Sequence, residues 1–473
     1  MNPALIIIFI FCSVALLYVY IIIQHMHTFK QYFFSLSVAR QIIVAIFFIF
    51  SLSACQQQKK AIQFSSRDIN NVITQMTDLM VHDVTNPPLA ARFFSYACLA
   101  GYEVVAENDS SLKSMHGILK DYPEIKKPKE NTNYNYELSA ILAMMETAKK
   151  MQPSGRLFEE YENHFLDSCK NISVTQHVID SSKSYAITIS KQILAYAKAD
   201  KYNMTTDYLR YTPVKGDGYW YPTPPGFFAA VEPYFNTVRP FTLDSAAQFK
   251  PVLPVKFSPE KKSPFYNLMM ENYKESGTGL SREHIAIASF WDCNPFAMDD
   301  NGHLMVGLKK ISPGAHWLGI TGIACAKANK NFDESMQIFT TVSIGLMDAF
   351  MCCWDEKYRS NRIRPETAIR KYIDPNWQPL LQTPPFPEYL SGHSVVSSAS
   401  ATLLTHYFGD NFSYTDSVEF NYGLQPRIFQ SFQQAAQEAA ISRFYGGIHF
   451  MDAINNGLTQ GKQVGEWVLQ KIK

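Results

Sequence analysis

The sequence predicts an all-α chain, a helical bundle interrupted by one long irregular segment rich in proline and aromatic residues. Three observations point there. Apolar residues recur at three- and four-residue spacing through most of the chain, as at Ile69, Val72, Ile73, Met76, Leu79 and Met80, the period of a helix with one buried face. Alternating Val- and Ile-rich runs bounded by turn residues are missing, so little sheet is expected. Glycine is sparse, 22 of 473 residues, while aromatics make up 14%, a balance that suits a packed helical globule.

Charge narrows the function classes. Lys plus Arg number 43 and Asp plus Glu 42, so no global field favours nucleic acid or an anionic membrane surface. Any cationic cluster is then a local feature. Of the eight cysteines, at 12, 55, 98, 169, 293, 325, 352 and 353, none forms a C-x-x-C pair, which argues against a zinc ribbon or redox motif. Cys352-Cys353 sit in an apolar helical stretch and read as buried free thiols, with a non-local disulfide left open if the protein is exported.

In chain order, residues 1–55 read as an export segment and 56–473 as a single all-α domain with its catalytic core at about 330–473. Residues 4–23 are almost wholly apolar. A second apolar run, Ile42 to Leu52, follows Lys30 and Arg40 and ends in Leu52-Ser53-Ala54-Cys55, the layout of a secretory signal. Leu-Ser-Ala-Cys resembles the bacterial lipobox, which implies lipidation at Cys55, and Gln56 after it implies the outer membrane, facing the periplasm or the surface. Two ordinary membrane helices are the other reading of 4–52, and translation from Met26 would remove the first run.

Beyond Ser66 the pattern is helical. Pro87-Pro88 interrupts it, and Leu89–Val105 resumes. Lys126–Asn135 reads as a loop, Glu137–Lys150 as a helix, and Arg156–Lys201 as a broken one. Tyr211–Pro259, with Tyr219-Trp220-Tyr221-Pro222 and Arg239-Pro240-Phe241, has no period. It is either a strap across the bundle or one wall of a substrate entrance. Ser281–Asp292 is helical, His316 beside Trp317 reads as a structural loop residue, and Asn331–Tyr358 is a long amphipathic helix.

That helix leads into three cationic blocks. Lys357 is followed after six residues by Arg364-Pro365; Ser391-Gly392-His393 is the second block; Ser442-Arg443 followed after five residues by His449 is the third. None contains an acid. Lys357 and Arg364 lie two helical turns apart, so one helix face would separate them by roughly 10 Å, although Pro365 places Arg364 where helix ends. Ser391 and Gly392 fall at a helix N-terminus, where free N–H groups and the dipole attract an anion. Arg443 ends an amphipathic segment from Arg427, and Gly446-Gly447 lets the chain turn so that His449 faces the same way. Fixed charge, directed N–H donors and imidazoles suit a tetrahedral oxyanion; alone, the first block would read as a solvated basic face.

K-x6-R-P, S-G-H and S-R-x5-H resemble the signature shared by vanadium-dependent haloperoxidases and type 2 phosphatidic-acid phosphatases, across residues 354–452. The resemblance implies an all-α bundle holding the ion between helix ends. By it, Lys357, Arg364 and Arg443 neutralise a vanadate or phosphate oxyanion, and Ser391 and Gly392 donate to its oxygens. His393 is implied as the acid–base residue and His449 as the bond to the central atom. Trp354 and Phe386 match aromatic positions that line the halide pocket in the chloroperoxidase-like branch. Two departures stand out. Leu390 replaces the usual Pro before Ser-Gly-His, implying a less preorganised turn. Ala453 replaces the Asp that orients the last His, leaving Asp452 and Asn455 as the nearest substitutes.

Two chemistries fit this set: halide oxidation by hydrogen peroxide on vanadate bonded through His449, giving hypohalous acid, or phosphomonoester hydrolysis through a phosphohistidine in a secreted acid phosphatase. The apolar, aromatic wall favours the halide. No uninterrupted apolar run of about 20 residues follows Cys55, which disfavours an integral-membrane lipid phosphatase. Hydrogen peroxide and halide are the expected partners, with vanadate as cofactor, a membrane attachment through the lipid anchor, no nucleic acid, and the oligomeric state open.

Overall fold

The periodic stretch after Ser65 folds as α1, Ser66–His82, and all six apolar positions that set its period are buried. The computed structural model describes Leu16, Leu17, Tyr20, Ile21 and residues 63–128, 133–277, 280–300 and 304–472. The expected export segment and Cys55 therefore lie outside the described residues, apart from those four, which are helical and exposed. The body, Gln63–Lys473, is one unit by itself.

Pro87-Pro88 does not interrupt a helix but opens one. α2 is Pro87–Ala106, with the prolines at its first positions and the Asn86 side chain accepting from the Leu89 N–H, where a missing N–H is harmless. α3 (Tyr136–Met151) follows the expected loop, and the expected break separates α4 (Phe158–Asn171) from α5 (Gln176–Lys198). Next come α6 (Pro264–Glu275) and α7 (Arg282–Phe290), then β1 (Met298–Asp300) paired antiparallel with β2 (Met305–Gly307). α8 (Pro313–Lys327) is buried on most sides, so it shows no amphipathic period. His316 thus lies in a helix, not in the loop expected from sequence.

α9, Phe332–Ser360, is the central helix. Asn331 and Glu334 close its N-terminus as a capping box. Among the described residues it is the one helix long and apolar enough to cross a membrane, yet 94% of its most apolar window is buried inside the protein. It packs against α2 on one side, where the Ser95 hydroxyl donates to the Ser343 carbonyl at 2.7 Å. On the other side it packs against α11 (Gly392–Phe408) and α13 (Met451–Ile472). The short α10 (Pro365–Tyr372) follows it directly. The Arg427–Arg443 segment is not one helix: Arg427–Phe429 is β4, paired with β3 (Tyr414–Asp416), and α12 (Phe432–Tyr445) starts at a new Ser431 cap.

Tyr211–Pro259 is a strap, fastened by its backbone. Trp220 N–H donates to Asn361 O at 2.7 Å and Val231 N–H to Pro385 O at 3.1 Å. The Phe241 and Thr242 N–H groups both donate to the buried Asp348 carboxylate of α9, at 2.8 Å each. It reaches the site through Trp354, whose indole N–H donates to the Val231 carbonyl at 3.2 Å, and its Phe228 lines an outer pocket beside it.

The contact that places the site is α13 on α11. Gly457, Gly461 and Gly465 form a stripe on α13. A Cβ at Gly461 would lie 2.1 Å from the Val395 carbonyl oxygen, and one at Gly457 would lie 2.8 Å from Ser394 Cβ and 3.1 Å from the Ser391 oxygen. Backbone therefore meets backbone beside the N-terminus of α11, and overpacking has no flexible side chain to yield. Gly461→Ala is expected to lower stability by about 1–3 kcal/mol, read as a shifted midpoint in urea. An unchanged midpoint would mean that the two helices do not approach so closely.

Candidate active site

The first cationic block spans a turn, not a helix face. α9 ends at Asn361, whose left-handed backbone (φ 48°) returns its N–H to Lys357 O at 2.9 Å. Arg364 is extended and caps α10, with Pro365 as the first helical residue. Lys357 and Arg364 thus come from opposite sides of the turn, which corrects the one-face expectation and agrees with the helix end expected from Pro365. Both are fully buried.

Ser391 caps α11, its hydroxyl accepting from the Ser394 N–H at 3.3 Å, and Gly392 is the first helical residue, where the N–H has no intrahelical partner. The turn before it contains a cis Tyr389–Leu390 peptide. In place of proline, hydrogen bonds hold this turn. Lys357 Nζ donates to the carbonyls of Pro387 at 3.0 Å, Glu388 at 3.2 Å, and Leu390. The Ser391 N–H donates to Ala453 O at 3.2 Å.

Arg443 lies in the last turn of α12, with Nη1 donating to Trp291 O at 2.8 Å. Gly447 has φ 75°, a conformation open to glycine. It turns the chain so that His449 enters just before α13. All seven oxyanion-site residues expected from sequence, Lys357, Arg364, Ser391, Gly392, His393, Arg443 and His449, gather at these helix ends.

The carboxylate that orients His449 is neither Asp452 nor Asn455. It is Glu388, fully buried, whose Oε1 accepts from His449 Nδ1 at 2.9 Å and from the Phe450 N–H at 3.0 Å. Its Oε2 accepts from Arg362 Nε at 2.6 Å. Asp452 lies behind, taking Arg362 Nη1 and Nη2 at 2.5 and 2.7 Å. Sequence reasoning assigned no role to either Glu388 or Arg362. The available signal was that Glu388 is the lone acid between Pro384 and Ser391. With Nδ1–H directed at Glu388, the neutral His449 ring carries its lone pair on Nε2, which lies 3.2 Å from Arg364 Nη1.

His393, His449, Arg443 and Gly392 line one pocket with Trp354, Phe386, Phe350, Pro87, Asn294, Pro295 and Phe296. Trp354 and Phe386 pack at 4.9 Å between centroids, so they do form one wall. A wider pocket shares Pro295 and Phe296 and continues past Phe228 and Tyr422. The strap does not line the inner pocket; the loop after α7 does.

Charge in the site is unbalanced. Glu388 and Asp452 both serve Arg362. Lys357 has carbonyl partners only, Arg364 has no carboxylate within bonding distance, and Arg443 reaches Asp292 only at 3.8 Å. Burial is the main cause that lowers Lys357 to about 7 and Arg364 to about 9, with neighbouring guanidinium groups adding to it. Burial, with Arg443 beside it, pushes His393 well below the usual imidazole range; burial, with Arg364 and Lys357, does the same to His449. Three buried polar atoms of this set lack a hydrogen-bond partner: Arg364 Nη2, Arg443 Nε and His393 Nε2. Uncompensated buried cations and orphaned donors are costly unless an anion meets them.

Residues 337–473 match the family profile described as the VCPO second helical-bundle domain. The whole body is similar to the crystal structure of a bacterial vanadium-dependent iodoperoxidase, at 43% identity over 87% of this chain and 98% of that one, with a TM-score of 0.82. The fold is also similar to a bacterial vanadium-dependent chloroperoxidase in its holo form (14% identity, 82% of this chain and 93% of that one, TM-score 0.62) and its apo form (15%, 82% and 96%, 0.61). The comparison with curated proteins gives no match.

Glu388→Gln is expected to weaken orthovanadate or phosphate binding by about 10–100-fold, because the amide loses the charge that fixes the His449 ring. Asp452→Asn, which leaves Glu388 in place, should weaken it less. Calorimetric titration of both variants gives the order, and the reverse order would return the orienting role to Asp452.

Proposed function

The chain belongs to the vanadium-dependent haloperoxidase family, and from that premise we propose that it oxidises iodide with hydrogen peroxide, using vanadate held at His449. The observation that carries this is the buried cation set of Lys357, Arg364 and Arg443, in which only Arg443 has a carboxylate near it (Asp292, at 3.8 Å), around a pocket bearing three orphaned polar atoms.

Those residues fit a tetrahedral oxyanion. Arg364 and Arg443 present Nη2 and Nε, Lys357 supplies further charge, and the Gly392 N–H and Ser391 hydroxyl stand at the start of α11. His449 offers Nε2 because Glu388 holds Nδ1–H. When bound, vanadate supplies Lewis acidity that makes peroxide oxygen electrophilic. His393, held neutral by burial and with Nε2 unpartnered, is placed to take a proton from incoming peroxide and to return one to the departing oxygen. The net reaction is iodide plus hydrogen peroxide plus a proton, giving hypoiodous acid and water. Trp354, Phe386, Phe350 and Pro295 form an apolar wall that favours a large, weakly hydrated anion. Iodide is the halide named for the relative at 43% identity.

Wild-type protein is expected to form triiodide from iodide and peroxide only after vanadate is supplied, with phosphate slowing the loading. His449→Ala should abolish vanadate binding and activity while keeping the helical circular dichroism of the wild type. Vanadate-loaded protein that makes no triiodide, yet hydrolyses p-nitrophenyl phosphate without vanadate, would overturn the proposal.

We also infer, from Leu52-Ser53-Ala54-Cys55 and the Gln run after it, that the mature chain is lipid-anchored through Cys55 to the outer membrane. Cys55→Ser should then move the protein from the membrane pellet to the soluble fraction of cells, and an unchanged distribution would exclude this anchor.

A further inference from the structure

Beside the oxyanion pocket lies a second cluster that the haloperoxidase reaction does not use. Cys293, in the loop after α7, lines the inner pocket. His316 lies on α8 and Glu419 just after β3, and all three are buried. Cys293 Sγ is 3.5 Å from His316 Nδ1 and 3.6 Å from Glu419 Oε1, and His316 Nδ1 is 3.4 Å from Glu419 Oε1. One sulfur, one nitrogen and one oxygen thus form a triangle with nearly equal sides.

That triangle has the size of a metal's ligand face. With Zn–S of about 2.3 Å and Zn–N and Zn–O of about 2.0–2.1 Å, tetrahedral angles give ligand–ligand separations of about 3.3–3.6 Å. A second observation comes from the far side of the imidazole. His316 Nε2 bonds to the buried Asp416 carboxylate at 2.9 Å. A carboxylate on one ring nitrogen is the usual support of a metal-bound histidine, and it leaves the other nitrogen able to ligate once a metal displaces its proton. Asp416 is itself fixed, accepting the Val418 N–H at 3.1 Å, and Trp291 stacks on the ring at 4.6 Å between centroids.

We propose that Cys293, His316 and Glu419 bind a zinc ion, with Asp416 positioning His316 and a solvent molecule completing the coordination. Thiolate with imidazole selects a borderline-soft divalent metal over magnesium or calcium. Binding releases two protons to solvent, the Cys293 thiol proton and the Nδ1 proton that His316 carries while both its ring nitrogens face carboxylates. The ion ties the pocket-lining loop 291–297 to α8 and to the end of β3, so it would fix the wall that carries Asn294, Pro295 and Phe296. It would also cap the one described thiol that faces the pocket, in an enzyme that makes an oxidant there.

The test uses vanadium-free wild-type protein, so that it stands apart from the haloperoxidase assignment. Elemental analysis after equilibration with zinc and desalting should show close to one zinc per chain. Cobalt in its place should give a thiolate charge-transfer band in the near ultraviolet. Cys293→Ser should lose that band, and His316→Ala or Glu419→Gln should bind zinc at least tenfold more weakly. Zinc should raise the melting temperature of the wild type and leave that of Cys293→Ser unmoved. Wild-type protein with no bound zinc and no cobalt band would overturn the site and leave His316 as an imidazolium between Asp416 and Glu419. Zinc bound equally by wild type and all three variants would also overturn it.

Discussion

The interaction on which the site depends is the buried Glu388 carboxylate. Its two oxygens collect a ring N–H from His449, a backbone N–H from Phe450 and a guanidinium from Arg362. Glu388, in the stretch leading to α11, thus joins two other chain segments, the α9–α10 turn and the turn before α13. A carboxylate in so dry a place would be unstable alone, and here each lone-pair direction that the geometry uses has a donor. Removing it would release a histidine ring and leave Arg362 depending on Asp452. The turn, the ring tautomer and the charge balance therefore share one cause.

Around that paired core the remaining cations are left over. Lys357 and Arg364 are buried with no acid in bonding contact and Arg443 with Asp292 only at 3.8 Å, and the pKa values of all three are pressed down in the direction of neutrality. Such an arrangement is a standing cost to the fold that an oxyanion removes. The backbone makes it tolerable by placing the cations at helix ends, where turns offer carbonyls. Lys357 is held by three of these, and Arg364 by the Phe386 and Ile448 carbonyls at 2.9 Å each. The glycine stripe of α13 then lets α11 pack close, and Gly392 at its start lines the same pocket.

Much of this was legible in the sequence, and the failures have a common origin. The three blocks were readable because the chemistry of an oxyanion constrains residue type and local spacing, and α1 and α5 because one face of each is periodically apolar. What was missed depends on contacts between distant segments. Glu388 sits in a proline-rich stretch with no period, and its partner His449 is 61 residues away. α8 is buried on most sides and shows no amphipathic face. Arg427–Phe429 extends as a strand only because β3 pairs with it. The separation of Lys357 from Arg364 matched two helical turns, and the left-handed Asn361 between them could not be seen in that spacing.

Thiol chemistry connects the oxidant site to the rest of the chain. Six described cysteines are free and buried. Burial raises Cys98 and Cys325 to about 12 and Cys169, Cys293 and Cys353 to about 11, so each stays a protonated thiol and a poor nucleophile toward hypohalous acid. A protein that releases such an oxidant gains from keeping thiols protonated and out of reach. Cys293 meets the first condition in the metal-free fold but not the second, because it lines the pocket. A metal there would displace the thiol proton and hold the sulfur against His316 and Glu419. The position of Cys293 against His316, Asp416 and Glu419 is thus better explained by coordination than by packing, for which a small apolar residue would serve as well.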